Sequence, residues 1–136
     1  MKIKYIKNFD LNVPSWNEVL KNFNNSVLNN EEIKHSCLGF FASFNANGIK
    51  KVKNVMKKLN TTDAHLYINI TIKGNTYGNH CDNVDVYFWQ CQGQTKWIFN
   101  ESNQQFLLSK GDLIIVPKGT FHNVIPLTPR VGVSMS

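Results

Sequence analysis

The chain has 136 residues and a mass of 15.6 kDa, and 42% of its residues are hydrophobic while 18% are charged. These values exclude an intrinsically disordered chain and predict one domain with its own apolar core. The formal net charge is +6, so nucleic acid, acidic lipid and anionic metabolites are the electrostatically compatible partners. The apolar runs are too short to span a bilayer, so we expect no membrane-spanning segment.

The cysteines and the first residues indicate the cellular compartment. Cys37, Cys81 and Cys91 are odd in number and form no C-x-x-C pair. The N-terminal sequence MKIKYIKNFD lacks the apolar segment of a secretory signal. Both features predict a cytoplasmic protein with reduced thiols.

The first third of the chain predicts a mixture of strands and helices. Lys2–Ile6 is a candidate short strand, and Cys37–Ser43 has the apolar composition of a buried strand. Ser15, followed three residues later by Glu18, is typical of the first turn of a helix. Ile49–Leu59 has apolar residues at helical spacing and lysines on the opposite face, which predicts a second helix.

The remainder of the chain predicts β-structure. Turn signals include Gly74-Asn75 and Gly78-Asn79. Short apolar segments between the turns predict strands at Ala64–Ile72, Val84–Cys91, Lys96–Phe99, Gln105–Leu108, Leu113–Val116, Phe121–Ile125 and Val131–Met135. Many short strands separated by turns are typical of an all-β sandwich or barrel, with the helices packed outside it.

One group of residues has the composition of a metal site. On an extended strand, His80 and Asp82 would point to the same face, because side chains two residues apart do so. His122, just after a Pro-Lys-Gly turn, could supply a third ligand. Two histidines and one carboxylate on one face of a metal are the ligand set of non-haem Fe(II) oxygenases. The same spacing also occurs in solvent-facing turns, so the surrounding sequence decides between the two interpretations.

The surrounding sequence resembles a known family. Residues 80–97, HCDNVDVYFWQCQGQTKW, resemble a pattern that reads roughly His-Tyr-Asp-Asn-x-Asp-Val-Phe-x-x-Gln-x-x-Gly-x-Lys-x-Trp. Residues 111–122, GDLIIVPKGTFH, resemble Gly-Asp-x-x-x-x-Pro-x-Gly-x-x-His, and residues 130–136 resemble the last barrel strand. Both patterns are those of the JmjC-like cupins, which include ribosomal-protein and histone-tail hydroxylases. The resemblance covers residues 64–136.

This resemblance implies a fold, an activity and a ligand set. The fold would be a double-stranded β-helix, the cupin or jelly-roll barrel, in a single domain over residues 1–136. Residues 64–136 would form the barrel, and residues 1–63 would supply helices and strands packed on it. His80, Asp82 and His122 would hold Fe(II), a position that Zn, Ni or Mn could also take. The activity would be a 2-oxoglutarate-dependent hydroxylation, with 2-oxoglutarate converted to succinate and CO2.

One position departs from the family pattern. The family has a Lys or Arg that binds the distal carboxylate of 2-oxoglutarate, and Thr95 stands at that position here. Lys96 is adjacent but would point to the other face of a regular strand. Other 2-oxoglutarate oxygenases have an Arg on the last barrel strand, which makes Arg130 the natural replacement. Arg suits bidentate capture of a carboxylate, and Thr95 could add a hydroxyl.

Other side chains are assigned to the pocket or to the core. Tyr67 and Asn69 lie two apart on the strand before His80, and Tyr77 lies just before it, so the resemblance implies that they line the pocket. Solvent-facing positions are equally compatible with these residues. Aromatic side chains on barrel strands usually fill the interior, which predicts core positions for Phe88, Trp89, Trp97, Phe99 and Phe121.

The expected partner is a small-molecule or peptide substrate. The lysine-rich helix face is more typical of a solvated surface than of a nucleic-acid site, since no nucleic-acid-binding motif accompanies it. The positive charge favours a small anionic substrate over a basic polypeptide. An exposed edge strand needs cover, so Lys2–Ile6 or Cys37–Ser43 could pair across a homodimer.

Two alternatives use the same fold without 2-oxoglutarate. The first is a metal-dependent isomerase or a dioxygenase that needs no oxo acid, and Thr95 is its best support. The second is a cupin that binds a small molecule without catalysis.

Overall fold

The computed structural model describes residues 2–73 and 76–136, so the predicted Gly74-Asn75 turn lies outside the described residues. The helices and strands occur in the order β1 (Lys4–Ile6), α1 (Trp16–Leu28), β2 (Ile33–Cys37), β3 (Phe40–Ser43), α2 (Lys50–Leu59), β4 (Ala64–Asn69), β5 (Val86–Gln92), β6 (Thr95–Phe99), β7 (Gln104–Leu108), β8 (Leu113–Val116), β9 (Asn123–Pro126) and β10 (Arg130–Met135). No helix within these described ranges is long and apolar enough to cross a membrane.

The strands form two antiparallel sheets. The larger sheet has the order β1-β8-β5-β10-β4-β3-β2, and the smaller has the order β7-β6-β9. This is the all-β architecture with accessory helices that the sequence predicts, and it matches a double-stranded β-helix. The helices pack on one face of the larger sheet, and the smaller sheet faces the other.

The apolar core has two layers, and strand alternation sorts side chains between them. On β5, Trp89 packs with the helix residues Val19 and Val52, whereas its neighbour Phe88 packs with Trp97 of the smaller sheet. On a pleated strand, successive side chains point to opposite faces, so a short apolar run serves both layers. The layer between the sheets surrounds the candidate site.

The two helices begin where the sequence predicts. The Ser15 hydroxyl accepts a hydrogen bond from the Glu18 backbone N–H, and the Glu18 carboxylate accepts one from the Ser15 N–H, both at 3.1 Å. Loss of such a cap costs about 1 kcal/mol. Lys51 of α2 pairs with the same carboxylate at 2.9 Å, which joins the two helices.

The N-terminal strands differ from the prediction. The predicted single strand Cys37–Ser43 is a turn followed by a strand, because Gly39 adopts a left-handed φ of 66° and β2 turns into β3 there. A Cβ at Gly39 would lie 2.6 Å from Thr71 Cγ2, so the turn needs glycine. Strands β1 to β3 are hydrogen-bonded into the larger sheet rather than packed on a separate barrel. The edges of that sheet are β1 and β2, and pairing across a dimer stays a prediction.

The aromatic prediction is confirmed for four residues and wrong for one. The confirmed residues, all at most 3% exposed, are Phe88, Trp89, Trp97 and Phe99. Phe121 is 40% exposed. It lies before β9, and its neighbour His122 is the side chain that faces inward.

Candidate metal centre

Three predicted ligands meet at one end of the space between the sheets. The ligand atoms of His80, Asp82 and His122 all lie within 4.8 Å of one another. His80 and Asp82 do not lie on a regular strand as expected, because the segment before β5 is irregular. Instead, His80 forms an isolated bridge with His122, with two backbone hydrogen bonds of 3.0 and 2.8 Å. This bridge, rather than strand alternation, brings the two imidazoles together.

The hydrogen bonds of the two histidines orient them for metal binding. Nδ1 of His80 lies 2.8 Å from the Gly78 carbonyl, and Nδ1 of His122 lies 2.9 Å from the Thr120 carbonyl. A carbonyl only accepts, so each Nδ1 carries a proton, and Nε2 is the nitrogen of each ring that is left to bind a metal. Burial lowers the pKa of His122, and the neighbouring His80 adds to this. A neutral imidazole is the form that a metal requires, so the donor set fits a divalent transition metal.

An aromatic wall holds His122 in place. The Trp97 indole stacks on the His122 ring with centroids 5.2 Å apart and planes 24° apart. Its Nε1–H donates to the Thr95 hydroxyl at 3.2 Å, and that hydroxyl donates to the side-chain oxygen of Gln90 at 2.8 Å. The hydroxyl of Thr95 is therefore committed to positioning Trp97.

The part of the same cavity around Arg130, here called its arginine end, contains a buried cation. Arg130 is 2% exposed and lines the cavity that the three ligands also line. Its Nε–H donates to Asn69 Oδ1 at 2.7 Å, and its guanidinium lies over the rings of Phe40 and Phe88 at 5.7 and 5.9 Å. Burial lowers the pKa of Arg130 to about 10, so it remains a cation at neutral pH.

This cation has no anionic partner in the described part of the chain. None of the salt bridges between described residues involves Arg130, and its Nη1 has no hydrogen-bond partner. The Nδ2 of Asn69 is also buried without a partner. Burying an unpaired charge costs several kcal/mol, so this end of the cavity is suited to an anionic group.

The other predicted site residues are divided between the cavity and its surroundings. Tyr67 and Tyr77 line the cavity, and burial raises the pKa of both phenols. Asn69 supports Arg130 from behind without lining the cavity itself. Thr95 and Lys96 are outside the lining. Strand β6 pairs in regular register with both of its neighbours, so no bulge turns Lys96 inward.

Several residues that line the cavity are not predicted from the sequence. Ser134 shares a face of β10 with Arg130, and alternation along that strand could have identified it. Phe40 comes from β3, which pairs with β4, and no local sequence signal indicates that contact. Phe88 and Trp97 were assigned to the core and also line the cavity.

Comparisons with known proteins agree with this fold. A family model described as the JmjC domain matches residues 40–105, whereas a comparison with curated proteins finds no match. The ribosomal oxygenase YcfD from Escherichia coli, in complex with cobalt and succinic acid, is similar at a TM-score of 0.74 and 14% identity, covering 99% of this chain and 48% of that one. YcfD in complex with cobalt and 2-oxoglutarate is similar at a TM-score of 0.61 and 18% identity, covering 71% and 30%.

A third solved structure belongs to another enzyme with a similar fold. Salicylate 1,2-dioxygenase from Pseudoaminobacter salicylatoxidans, as its gentisate adduct, is similar at a TM-score of 0.58 and 14% identity, covering 90% of this chain and 32% of that one. At such identities the likeness shows the fold, and this chain spans less than half the length of each of these proteins.

The family match and the fold lead to one assignment. The matched residues 40–105 contain His80 and Asp82, and His122 lies beyond them. The chain has the cupin fold, and its resemblance to the JmjC-like cupins is confirmed.

Proposed function

We propose that the protein is an Fe(II)- and 2-oxoglutarate-dependent oxygenase that hydroxylates an organic substrate. The observation that carries this proposal is the buried, anion-free guanidinium of Arg130 in the same cavity as a two-histidine, one-carboxylate ligand set. A metal site alone is compatible with many cupin activities. A buried cation beside it selects a ligand with one end for the metal and an anionic group at the other.

Each residue has a separate role in this proposal. His80, Asp82 and His122 hold Fe(II). Arg130, supported by Asn69, binds the distal carboxylate of 2-oxoglutarate through Nη1. When bound, the metal and the oxo acid supply the oxidising chemistry, in which O2 converts 2-oxoglutarate to succinate and CO2 and hydroxylates the substrate. The protein orients the oxo acid and excludes water with the aromatic side chains around His122.

The comparisons support the same class of chemistry. YcfD is described as a ribosomal oxygenase and has been solved with cobalt and 2-oxoglutarate. Iron is proposed here because two imidazoles and one carboxylate with open positions are its usual ligand set in oxygenases. We also propose a cytoplasmic location, since reduced thiols and available Fe(II) belong to that compartment.

A spectroscopic experiment tests the proposal. Fe(II) and 2-oxoglutarate are added anaerobically to metal-free protein, and the visible metal-to-ligand charge-transfer band is recorded. We expect a band in the wild type, no band in His80→Ala and a band in Arg130→Met only at much higher 2-oxoglutarate. Fe(II) binding without a band at any 2-oxoglutarate concentration would contradict the proposal.

A second candidate is a metal-dependent cupin that does not use 2-oxoglutarate, as an isomerase or a dioxygenase. Thr95 favours it, because the family's cation is missing there and the threonine hydroxyl is committed to Gln90 and Trp97. This candidate predicts metal binding without the charge-transfer band. The same fold is also seen in salicylate 1,2-dioxygenase.

A further inference from the structure

We propose that an uncharged groove beside the metal cavity binds the apolar body of a small organic substrate. This inference rests on the proposed function, because it assigns the substrate class of the same metal site. The groove lies between the segment that leads to His80 and strand β9, and it is lined in part by Ile72, Thr76, Tyr77, Val124 and Ile125.

The groove and the metal cavity are neighbouring spaces with a common wall. Thr76, Tyr77 and Val124 line both of them. The metal cavity is narrow, about 40 Å³, so it has no room for a substrate beside an oxo acid. The groove measures about 420 Å³, which is in the usual range for a small-molecule site. A substrate in the groove would therefore lie next to the metal cavity without competing with the oxo acid.

The Tyr77 ring is the partition between the two spaces. It is 43% exposed and stands edge-on to the rings of Phe40 and His80, at centroid distances of 5.2 and 5.9 Å. One side of Tyr77 thus contacts residues of the metal cavity, and the ring also borders the groove. A planar or aliphatic group in the groove would pack against this ring.

The chemistry of the lining selects an uncharged ligand. Ile72 is 57% exposed and Ile125 is 37% exposed, although both are apolar. None of the described residues that line the groove is Lys, Arg, Asp, Glu or His. A charged group placed there would lose water and gain no partner, whereas an apolar group would cover exposed aliphatic surface.

This inference changes the substrate expected from the net charge. The +6 charge favoured a small anionic molecule, but the basic residues of α2 lie outside the groove lining. The buried cation that lines the metal cavity, Arg130, is already assigned to the oxo acid. The substrate body is therefore a small uncharged aromatic or aliphatic molecule.

A fluorine NMR experiment with three matched probes tests the inference. The probes are 4-fluorobenzyl alcohol, 4-fluorobenzoate and 4-fluorobenzylamine, which share a ring and differ in charge. We expect the alcohol to bind the metal-free protein at least fivefold more tightly than either charged probe. Ile125→Glu and Ile72→Glu should each weaken alcohol binding at least tenfold, and Leu28→Glu, an exposed position on α1, should leave it unchanged.

The position of the bound probe is tested separately. Loading the protein with Mn(II) rather than Zn(II) should broaden the resonance of the bound alcohol, because the groove shares a wall with the metal cavity. Equal binding of the three probes, no binding of any probe, or full binding in both glutamate variants would overturn the inference. Probe binding without Mn(II) broadening in Mn(II)-loaded protein would also overturn it. If Mn(II) does not bind at all, the proposed function fails. The binding of the three probes to the metal-free protein still tests whether the groove binds an uncharged molecule.

Discussion

The two ends of the cavity differ in how their polar groups are satisfied. At the metal end, each histidine has a carbonyl partner at Nδ1, and His122 is 3.5 Å from an Asp82 oxygen. At the other end, Arg130 has one hydrogen bond to Asn69, and polar nitrogens of both residues are left without partners. The metal end is preorganised, whereas the arginine end is destabilised until an anion binds.

The two ends therefore contribute differently to stability and function. Removing a ligand at the metal end should weaken metal binding and should not stabilise the metal-free protein. Removing the buried charge at the other end should damage binding of the oxo acid and stabilise the metal-free protein. Variants at each end of the cavity separate these contributions.

The largest effect is expected from His122→Ala. Loss of one of three ligands should weaken Mn(II) binding by about 100-fold or more, since even loss of a residue that merely orients a ligand costs about 10- to 100-fold. Electron paramagnetic resonance of free Mn(II) measures this affinity. His35→Ala is the matched control, because His35 is exposed on β2 and should leave the affinity unchanged. Equal Mn(II) affinity in the two variants would remove His122 from the ligand set.

The double variant Arg130→Met/Asn69→Leu should be more stable than the wild type, whereas most substitutions of buried residues are destabilising. We expect the metal-free protein to gain about 1–4 kcal/mol in its free energy of unfolding, because unpaired buried polar groups are replaced by apolar ones. Urea unfolding measures this change. Asn69→Leu alone is the control and should destabilise the protein by about 1–3 kcal/mol, because it leaves Arg130 Nε without its acceptor. A double variant less stable than the wild type would contradict the account.

Acid should destabilise the metal-free protein through its partly buried histidines. Burial lowers the pKa of His65 and of His122 below the ordinary value of 6.5. The unfolded state therefore binds more protons just below pH 6.5, so the free energy of unfolding falls as the pH drops from about 7. Urea unfolding at several pH values measures the slope, and His65→Gln should reduce it. The same slope in His65→Gln as in the wild type would show that His65 does not contribute.

The smallest effect is expected from Lys96→Met. Lys96 points away from the cavity on a regular strand, so 2-oxoglutarate affinity should change less than about twofold. Calorimetric titration of the Zn(II)-loaded protein measures it. A tenfold loss would instead make Lys96 the carboxylate-binding cation and remove that role from Arg130.

The barrel strands and the cluster of candidate metal ligands could largely be predicted from the sequence. Strands β4 to β10 have apolar residues between clear turn signals, and their predicted positions agree with the structure within a few residues. Strand β2 was missed because its sequence, IKHSC, has no apolar alternation and lies at a sheet edge. The ligand residues came from two motif segments, and the bridge between His80 and His122 gives those segments their contact.

The arginine end could not be read from local sequence. Arg130 pairs with Asn69 across β10 and β4, and Phe40 pairs with Asn69 across β3 and β4. These contacts depend on the register of strands far apart in the chain, which periodicity does not specify. The role of Thr95 also depends on tertiary contacts, because its hydroxyl forms hydrogen bonds with Gln90 and Trp97.

The most direct test of the account compares two oxo acids that differ only in the distal carboxylate. 2-Oxoglutarate and 2-oxopentanoate are titrated anaerobically into Fe(II)-loaded wild type and Arg130→Met, with the charge-transfer band as the signal. The account predicts that the wild type binds 2-oxoglutarate about 100-fold more tightly than 2-oxopentanoate, and that Arg130→Met binds the two alike. Equal affinity for both acids in the wild type would contradict the assignment of Arg130 as the carboxylate receptor.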